Sequence, residues 1–349
     1  MGSRNKGQHT RSRHCAISLL SLFSAYAFWS GAAFADTAPE QLEQAKKEGK
    51  VVWYCAVNAV TANNLAREFE TRYPPVKVEV FRASSEQQLT RLIAEYANRK
   101  YIPDVVELNI QMLNMVKEKG ILDRYIAPQS QALPGNLKDP QAYWASWYLS
   151  LYSVAYNSKM VPPHEVPRTY EDLLDPKWKG KMMMDATKPQ WFIAQLKRLG
   201  RERGLDYMRK LANQKIIPQT GSLTLPLQLV AAGEAAMMIQ GNPARIDEMK
   251  KKGASIGWAP ISPVIASVCG MGITTKPNHP VAARLFVDFV LSPDGQEIVG
   301  KSGNIPSRPG TRYPLAAEIQ KLELLPTQPV PADEYEQLFK LFRMTFKFK

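Results

Sequence analysis

The chain has 349 residues, 45% of them hydrophobic, and a formal net charge of +13 from 45 Lys and Arg against 32 Asp and Glu. That length and apolar fraction suit two globular lobes and exclude a disulfide-dense miniprotein or a disordered charged tail. The cations are dispersed, and the densest run, Lys250-Lys251-Lys252, reads as a solvated helix end and not as a nucleic-acid patch.

Arg4, Lys6, Arg11 and Arg13 precede an apolar stretch from about Ala16 to Ala33, and no acidic residue comes before Asp36. Serines dilute the stretch and Ala33-Phe34-Ala35 supplies small residues at a cleavage position, so residues 1–35 read as a signal peptide for export to a periplasm, not as a membrane anchor. Its removal takes those four cations away and lowers the charge from +13 to +9. The remaining excess favours anionic ligands mildly, through the long-range field. Cys55 and Cys269 remain after Cys15 is lost; in an oxidising compartment they either pair or pack as buried strand residues. His164 and His279, each beside a proline in expected loop, share no ligand-like spacing with those cysteines, so neither a structural zinc nor any other cofactor is expected.

Along the rest of the chain, helix and strand patterns alternate. Glu40–Gly49 is helical, Val51–Cys55 is β-rich, Ala62–Tyr73 is an amphipathic helix stopped by Pro74-Pro75, and Val76–Phe81 alternates with period two. Ser85 with Gln88 three residues later opens a helix to about Asn98. Asp104–Leu108 is a strand followed by a helix ending near Gly120, and the aromatic-rich run from Tyr143 to Asn157 reads as a long buried strand. Thr169 and Asp172 make a capping-box-like start to a short helix that Pro176 stops and Gly180 loosens before Met182–Asp185, a strand. Helices at Gln190–Gly200 and around Leu205–Asn213, a strand at Lys215–Pro218, a helix opened by Gly221–Thr224, a strand at Ala235–Gln240 and Pro243 at a first helical position continue the alternation. Trp258–Pro263 and Val264–Ile273 would return the chain to the first lobe, and Leu338–Phe348 is amphipathic enough for a helix packed on a lobe. The fold class is α/β with mostly parallel sheets.

The tract Thr169-Tyr170-Glu171-Asp172-Leu173-Leu174-Asp175-Pro176-Lys177-Trp178-Lys179-Gly180-Lys181 resembles a helix–loop–strand corner of extracellular solute-binding proteins, the ligand-capture components of ABC importers, especially the class with ferric-iron binders. His279–Gln296 is similar to that family's "H-P-x-A-A-x-L-F-x-D-F" helix, and Gly303–Arg308 to its closing "G-x-x-P-x-R" loop. Val51–Tyr54, Ser84-Ser85, Pro103–Val106 and Tyr156-Asn157 fall in the expected order. The resemblance implies two α/β lobes of the type II periplasmic-binding-protein kind joined by two connecting strands. Residues 36–145 with 268–349 would form one lobe and 146–267 the other. It further implies a monomer that captures a small solute by hinge closure and docks on a membrane permease, with no catalytic residues and no nucleic-acid partner.

Ligands of open α/β sheets collect beyond the carboxyl ends of strands, at helix N-termini. The candidates are therefore Tyr54, Asn58, Ser84, Ser85 and Asn109 from the first lobe, and Asp185, Thr187, Trp191, Gly221, Ser222, Gly241, Asn242 and Arg245 from the second. Arg82 joins Arg245 as a possible bidentate partner of a carboxylate or phosphonate. Each has a plainer reading: the serines as helix caps, Tyr54 as a sheet residue, Trp191 as core, Asp185 as a cap and Gly241 as turn chemistry. The iron-binding relatives use paired tyrosines in the loop matching Gln240–Pro243, with a His and a Glu from the first lobe. Here no tyrosine lies in Ile239–Arg245, no His follows Tyr54, and Asn109 stands near the expected acid. A small organic anion or zwitterion, such as a carboxylate or phosphonate, is expected in place of ferric ion, with iron or an iron chelate as the alternative. A periplasmic enzyme or a sensory ligand-presenting protein on the same scaffold are further rivals, though the chain carries no G-x-S-x-G elbow and no phosphate-cradling glycine loop.

Overall fold

A computed structural model describes residues 39–220 and 224–348. The expected signal peptide and the candidates Gly221 and Ser222 lie outside the described residues. The first sheet region is built from β1 (Lys50–Cys55), β2 (Lys77–Arg82) and β3 (Val105–Asn109), alternating with α1 (Pro39–Glu48), α2 (Ala59–Arg72), α3 (Ser85–Ala97) and α4 (Ile110–Glu118). After β4 (Ala145–Asn157) come β5 (Met182–Asp185), α5 (Gln190–Leu199), α6 (Arg201–Ala212), β6 (Ile217–Gln219), α7 (Thr224–Ala232), β7 (Met237–Gly241), α8 (Pro243–Lys251) and β8 (Ile256–Ala259). The chain closes with β9 (Val264–Ile273), α9 (Pro280–Leu291), α10 (Pro293–Lys301), β10 (Ile305–Pro306), α11 (Ala316–Ile319), β11 (Leu324–Pro326) and α12 (Ala332–Phe346). Among the described residues no helix is long and apolar enough to cross a membrane.

The strands run in the order β2-β1-β3-β9-β4-β7-β5-β6, with β8 and β10 on β4 and β11 on β9. β1 is parallel to β2 and β3, and β5 is parallel to β6 and β7, whereas β9 runs antiparallel to β3 and to β4. β4 belongs to both regions. Its residues Ala145–Tyr152 pair with β9, and Ser153–Asn157 pair with β7 and β8. At about 3.3 Å per residue, its 13 residues reach roughly 40 Å, far enough to carry one backbone ladder from one region into the other. The second connection is short, from the end of β8 to the start of β9.

One large cluster of buried side chains runs through both regions, joining Val106 and Leu108 with Met182 and Trp191. On the first side Trp53 is fully buried between Trp147, at 5.9 Å between ring centroids, and Phe286 of α9, at 5.1 Å. On the second, Met182 and Met184 of β5 and Trp191 and Phe192 of α5 are buried, and Phe342 of α12 reaches Phe192 at 5.4 Å. The C-terminal segment is tied to both regions. β11 lies parallel to β9, Gln111 of α4 bonds both the N–H and the C=O of Val330 at 2.9 Å, and α12 packs on α6.

The Thr169–Lys181 corner departs from the expected helix. Thr169 and Asp172 do cap each other, since Thr169 Oγ1 accepts the Asp172 N–H at 3.2 Å and Asp172 Oδ2 accepts the Thr169 N–H at 2.9 Å. The segment nevertheless forms two tight 3₁₀ turns, Glu171–Leu174 and Pro176–Trp178. Pro176 leaves no room for a second α turn, and the buried Leu173 and Trp178 anchor the short piece instead. The serine cap of α3 is shifted by one residue: Ser84, not Ser85, forms a reciprocal box with Gln87. His279 is not the exposed loop residue expected; its ring lies 2.8 Å from the fully buried Asp104.

Truncating Trp53 to alanine removes the ring that Trp147 and Phe286 pack against. Urea unfolding of Trp53→Ala is expected to show a loss of about 3–5 kcal/mol; a loss under about 1 kcal/mol would mean that this cluster does not carry the first region.

Candidate functional site

The strand β4 presents Tyr148, Ser150 and Tyr152 on one face by its period of two. Across the ladder Tyr148 stands opposite Cys269 and Ser150 opposite Ser267. These five residues floor a cleft of about 640 Å³. The long aromatic strand is thus buried as expected, and one of its faces is also the base of the cleft.

The walls are helix N-termini. Asn58 caps α2 by accepting the Thr61 N–H at 3.0 Å, Ser84 caps α3 through Gln87 N–H at 3.2 Å, and Asn109 caps α4 through Met112 N–H at 3.1 Å. From the opposite region Asn242 caps α8 through Arg245 N–H at 3.1 Å, and its amide donates to Ser150 of the floor at 3.1 Å. All four caps line the cleft. Each helix directs the partial positive end of its dipole there, and anions are the species such ends favour. Ser85 also lines the wall, but its hydroxyl is engaged with the Asn109 N–H at 3.0 Å.

The lining cations are Arg82, Lys188, Arg245, Lys251 and Lys301. Four have acidic partners: Lys188 with Asp185 at 3.4 Å, Arg245 with Glu248 at 2.9 Å, Lys251 with Asp247 at 2.7 Å and Lys301 with Glu297 at 3.1 Å. Among the described residues Arg82 alone of the five makes no ion pair. Its Nε donates to the Val57 carbonyl at 2.9 Å, which fixes the guanidinium between the starts of α2 and α3. Glu86 is the acid without a cation, held by Asn109 and Gln190 amides at 3.4 Å each.

Five sequence candidates do not line this cleft. Tyr54 is a core residue whose hydroxyl donates to Glu95 at 3.0 Å, and burial pushes its ionisation up to about 12. Trp191 is fully buried at 5.9 Å from the Tyr170 ring. Gly241 packs on β4, where an added Cβ would meet the Ala155 Cβ at 2.8 Å. Asp185 is buried and accepts from the Thr187 N–H and hydroxyl at 2.9 and 2.6 Å, so both residues hold their own turn. The buried Gln240 clamps that turn from β7, accepting the Asp185 N–H and donating to the Lys188 carbonyl. What this loop delivers to the cleft is Lys188, one residue beyond the candidates. The sequence signal for it was only position, since a lysine in a loop ordinarily reads as solvated. Tyr148, Ser150, Tyr152 and Ser267 were also missed, although their alternation along strands carried the clue.

Beneath the floor, Glu107 is fully buried and accepts the N–H groups of Ala56 and Val57 at 2.5 and 3.0 Å and the Tyr148 hydroxyl at 3.3 Å. Burial pushes its pKa up to about 7, a rise that the two backbone N–H bonds oppose. Burial also drives the Tyr148 hydroxyl and the Cys55 and Cys269 thiols well above their ordinary ranges. Both cysteines are free.

A sequence profile described as bacterial extracellular solute-binding protein matches residues 64–327. Iron uptake protein A1 of Synechocystis sp. is 25% identical over 293 residues, covering 78% of this chain and 77% of the relative. Among solved structures, AfuA from Actinobacillus pleuropneumoniae with exogenous fructose-6-phosphate bound superposes with a TM-score of 0.74 at 25% identity, over 86% of this chain and 99% of that one. Iron-bound HitA from Pseudomonas aeruginosa superposes with a TM-score of 0.72 over 85% of this chain and 99% of that one; at 21% identity it speaks for the fold alone.

The elevated pKa of Glu107 has a definite sign. Its protonated form is favoured by folding, so its contribution to stability is full below about 4.5 and is lost as pH rises to about 7. Relative to wild type, Glu107→Gln should therefore gain stability between those pH values, by on the order of 3 kcal/mol. Parallel denaturation curves at pH 4.5 and 7.5 check this, and an unchanged difference between the two proteins would refute it.

Proposed function

The chain belongs to the bacterial extracellular solute-binding proteins, and from that premise we propose that its cleft captures a small organic anion in the periplasm and delivers it to the permease of an ABC importer. The observation that carries the choice of solute is Arg82, a cation without an ion pair among the described residues, fixed beside the N-termini of α2 and α3. A carboxylate, phosphonate or phosphate group placed there would gain bidentate, charge-assisted hydrogen bonds together with the two helix ends. Glu86 offers an acceptor to a hydroxyl or ammonium on the same solute, so zwitterions fit as well.

The relatives point in two directions, towards iron uptake and towards a sugar phosphate. The donor set favours the organic anion. Ferric ion asks for several anionic oxygens, whereas Asp247 and Glu248 already hold cations, which leaves Glu86 as the one lining carboxylate without a cation among the described residues. Among the described residues no three His, Cys, Asp or Glu side chains gather as a metal site.

Capture would proceed by closure about β4 and the short segment between β8 and β9, the two links between the sheet regions. A solute that touches Arg82 on one side and Lys188 or the start of α8 on the other binds the closed arrangement better than the open one and shifts the population towards it. Closure then presents a defined face to the permease.

A thermal-shift screen over carboxylates, phosphonates, sugar phosphates, amino acids and metal ions should show stabilisation by organic anions, worth about 2.7 kcal/mol at a hundredfold excess over Kd. Arg82→Gln should weaken the best anion by about tenfold to a hundredfold, as expected for a hydrogen bond between charged groups. A shift with ferric ion alone, untouched by Arg82→Gln, would replace this reading with iron capture through Tyr148 and Tyr152.

A further inference from the structure

A second cavity of about 180 Å³ adjoins the cleft. Asn109, Gln190 and Ser267 line both, so these three side chains are all that is shared at the boundary. Beyond them most of the wall surface is apolar, from Ile110 of α4, Ile193 and Ala194 of α5, and Leu325 and Pro326 of β11, while the charged Lys197 and Arg198 of α5 also line the space. Ile193 and Ala194 are 6% and 7% exposed, too buried to serve as ordinary surface residues. The C-terminal segment closes this space, and Gln111 holds that segment in place through both hydrogen bonds to Val330.

The boundary carries a second observation. Gln190 is 7% exposed, its Nε2 donates to Glu86 at 3.4 Å, and its Oε1 has no hydrogen-bond partner among the described residues. A buried carbonyl oxygen left without a donor is unfavourable, and this one stands where the two cavities meet. A hydroxyl or amine of a solute at that junction would supply the donor.

We propose that the solute is amphiphilic: its anionic group binds at Arg82, a donor at its middle meets Gln190 and Glu86, and an apolar substituent enters the cavity walled by Ile193, Ala194 and Leu325. This rests on the organic-anion reading of the cleft and narrows it. Room for about six water-sized groups sets the scale of the substituent, a short alkyl chain or a single ring. The apolar walls would favour it by desolvation, and specificity against short polar anions would come from this cavity, not from the charged cleft.

The test is titration calorimetry of the mature protein with two homologous series, alkyl phosphonates from methyl to hexyl and 2-hydroxycarboxylates from two to eight carbons. In at least one series, affinity should rise about fourfold per added methylene until the cavity is full. Ala194→Phe, which fills the cavity, should abolish that gain while leaving the affinity for the shortest member within about twofold. Because this variant can fail to fold, the chain-length series on the wild type stands as an independent measure. Short members that bind without any gain along either series would overturn the amphiphilic solute and leave the organic-anion reading intact. Absence of binding by every member, short and long, would overturn both.

Discussion

The architecture depends on a single strand that changes partners without ending. Up to Tyr152 the residues of β4 pair with β9; from Ser153 onward they pair with β7 and β8. A backbone ladder cannot be interrupted in the interior without leaving polar groups unpaired, so the two sheet regions are forced to meet along this line. The face of β4 that carries Tyr148, Ser150 and Tyr152 lines the cleft along this meeting line. That face, with its opposite number on β9, becomes the cleft floor, and the strand-to-helix loops of both regions gather above it.

Charge in the cleft is arranged so that little of it is free. Lys188, Arg245, Lys251 and Lys301 are each opposed by a carboxylate, which limits their pull on a ligand to what remains after pairing. On the proposed reading, the directed attraction would come instead from Arg82 and from four capped helix ends. Glu107 supports these from beneath, tying the backbone at Ala56 and Val57 to the Tyr148 hydroxyl of the floor. Such a cleft would, on the proposed reading, select ligands by geometry around one guanidinium more than by net charge.

Several parts of this picture were legible in the residues. Asn58, Ser84, Asn109 and Asn242 were readable as cleft candidates because they stand in strand-to-helix loops, although of these four only Ser84 was also readable as a cap. The same logic failed for Asp185 and Thr187, which satisfy each other, and for Trp191 and Tyr54, whose large rings were drawn into the cores. The capping pattern at Thr169 was also readable, yet it did not reveal that Pro176 would reduce the helix to 3₁₀ turns.

Local pattern alone determined the alternation of strand and helix and the positions of most helix starts, because propensity, period and capping act over a few residues, while the two-lobed class came from the family resemblance. Tertiary structure decided which loop residues face the cleft, which cations keep a free charge and how the C-terminal segment walls a second cavity. Those outcomes depend on pairings between residues such as Gln240 and Lys188, Arg82 and Val57, or Gln111 and Val330, whose separation along the chain leaves no periodic trace in it.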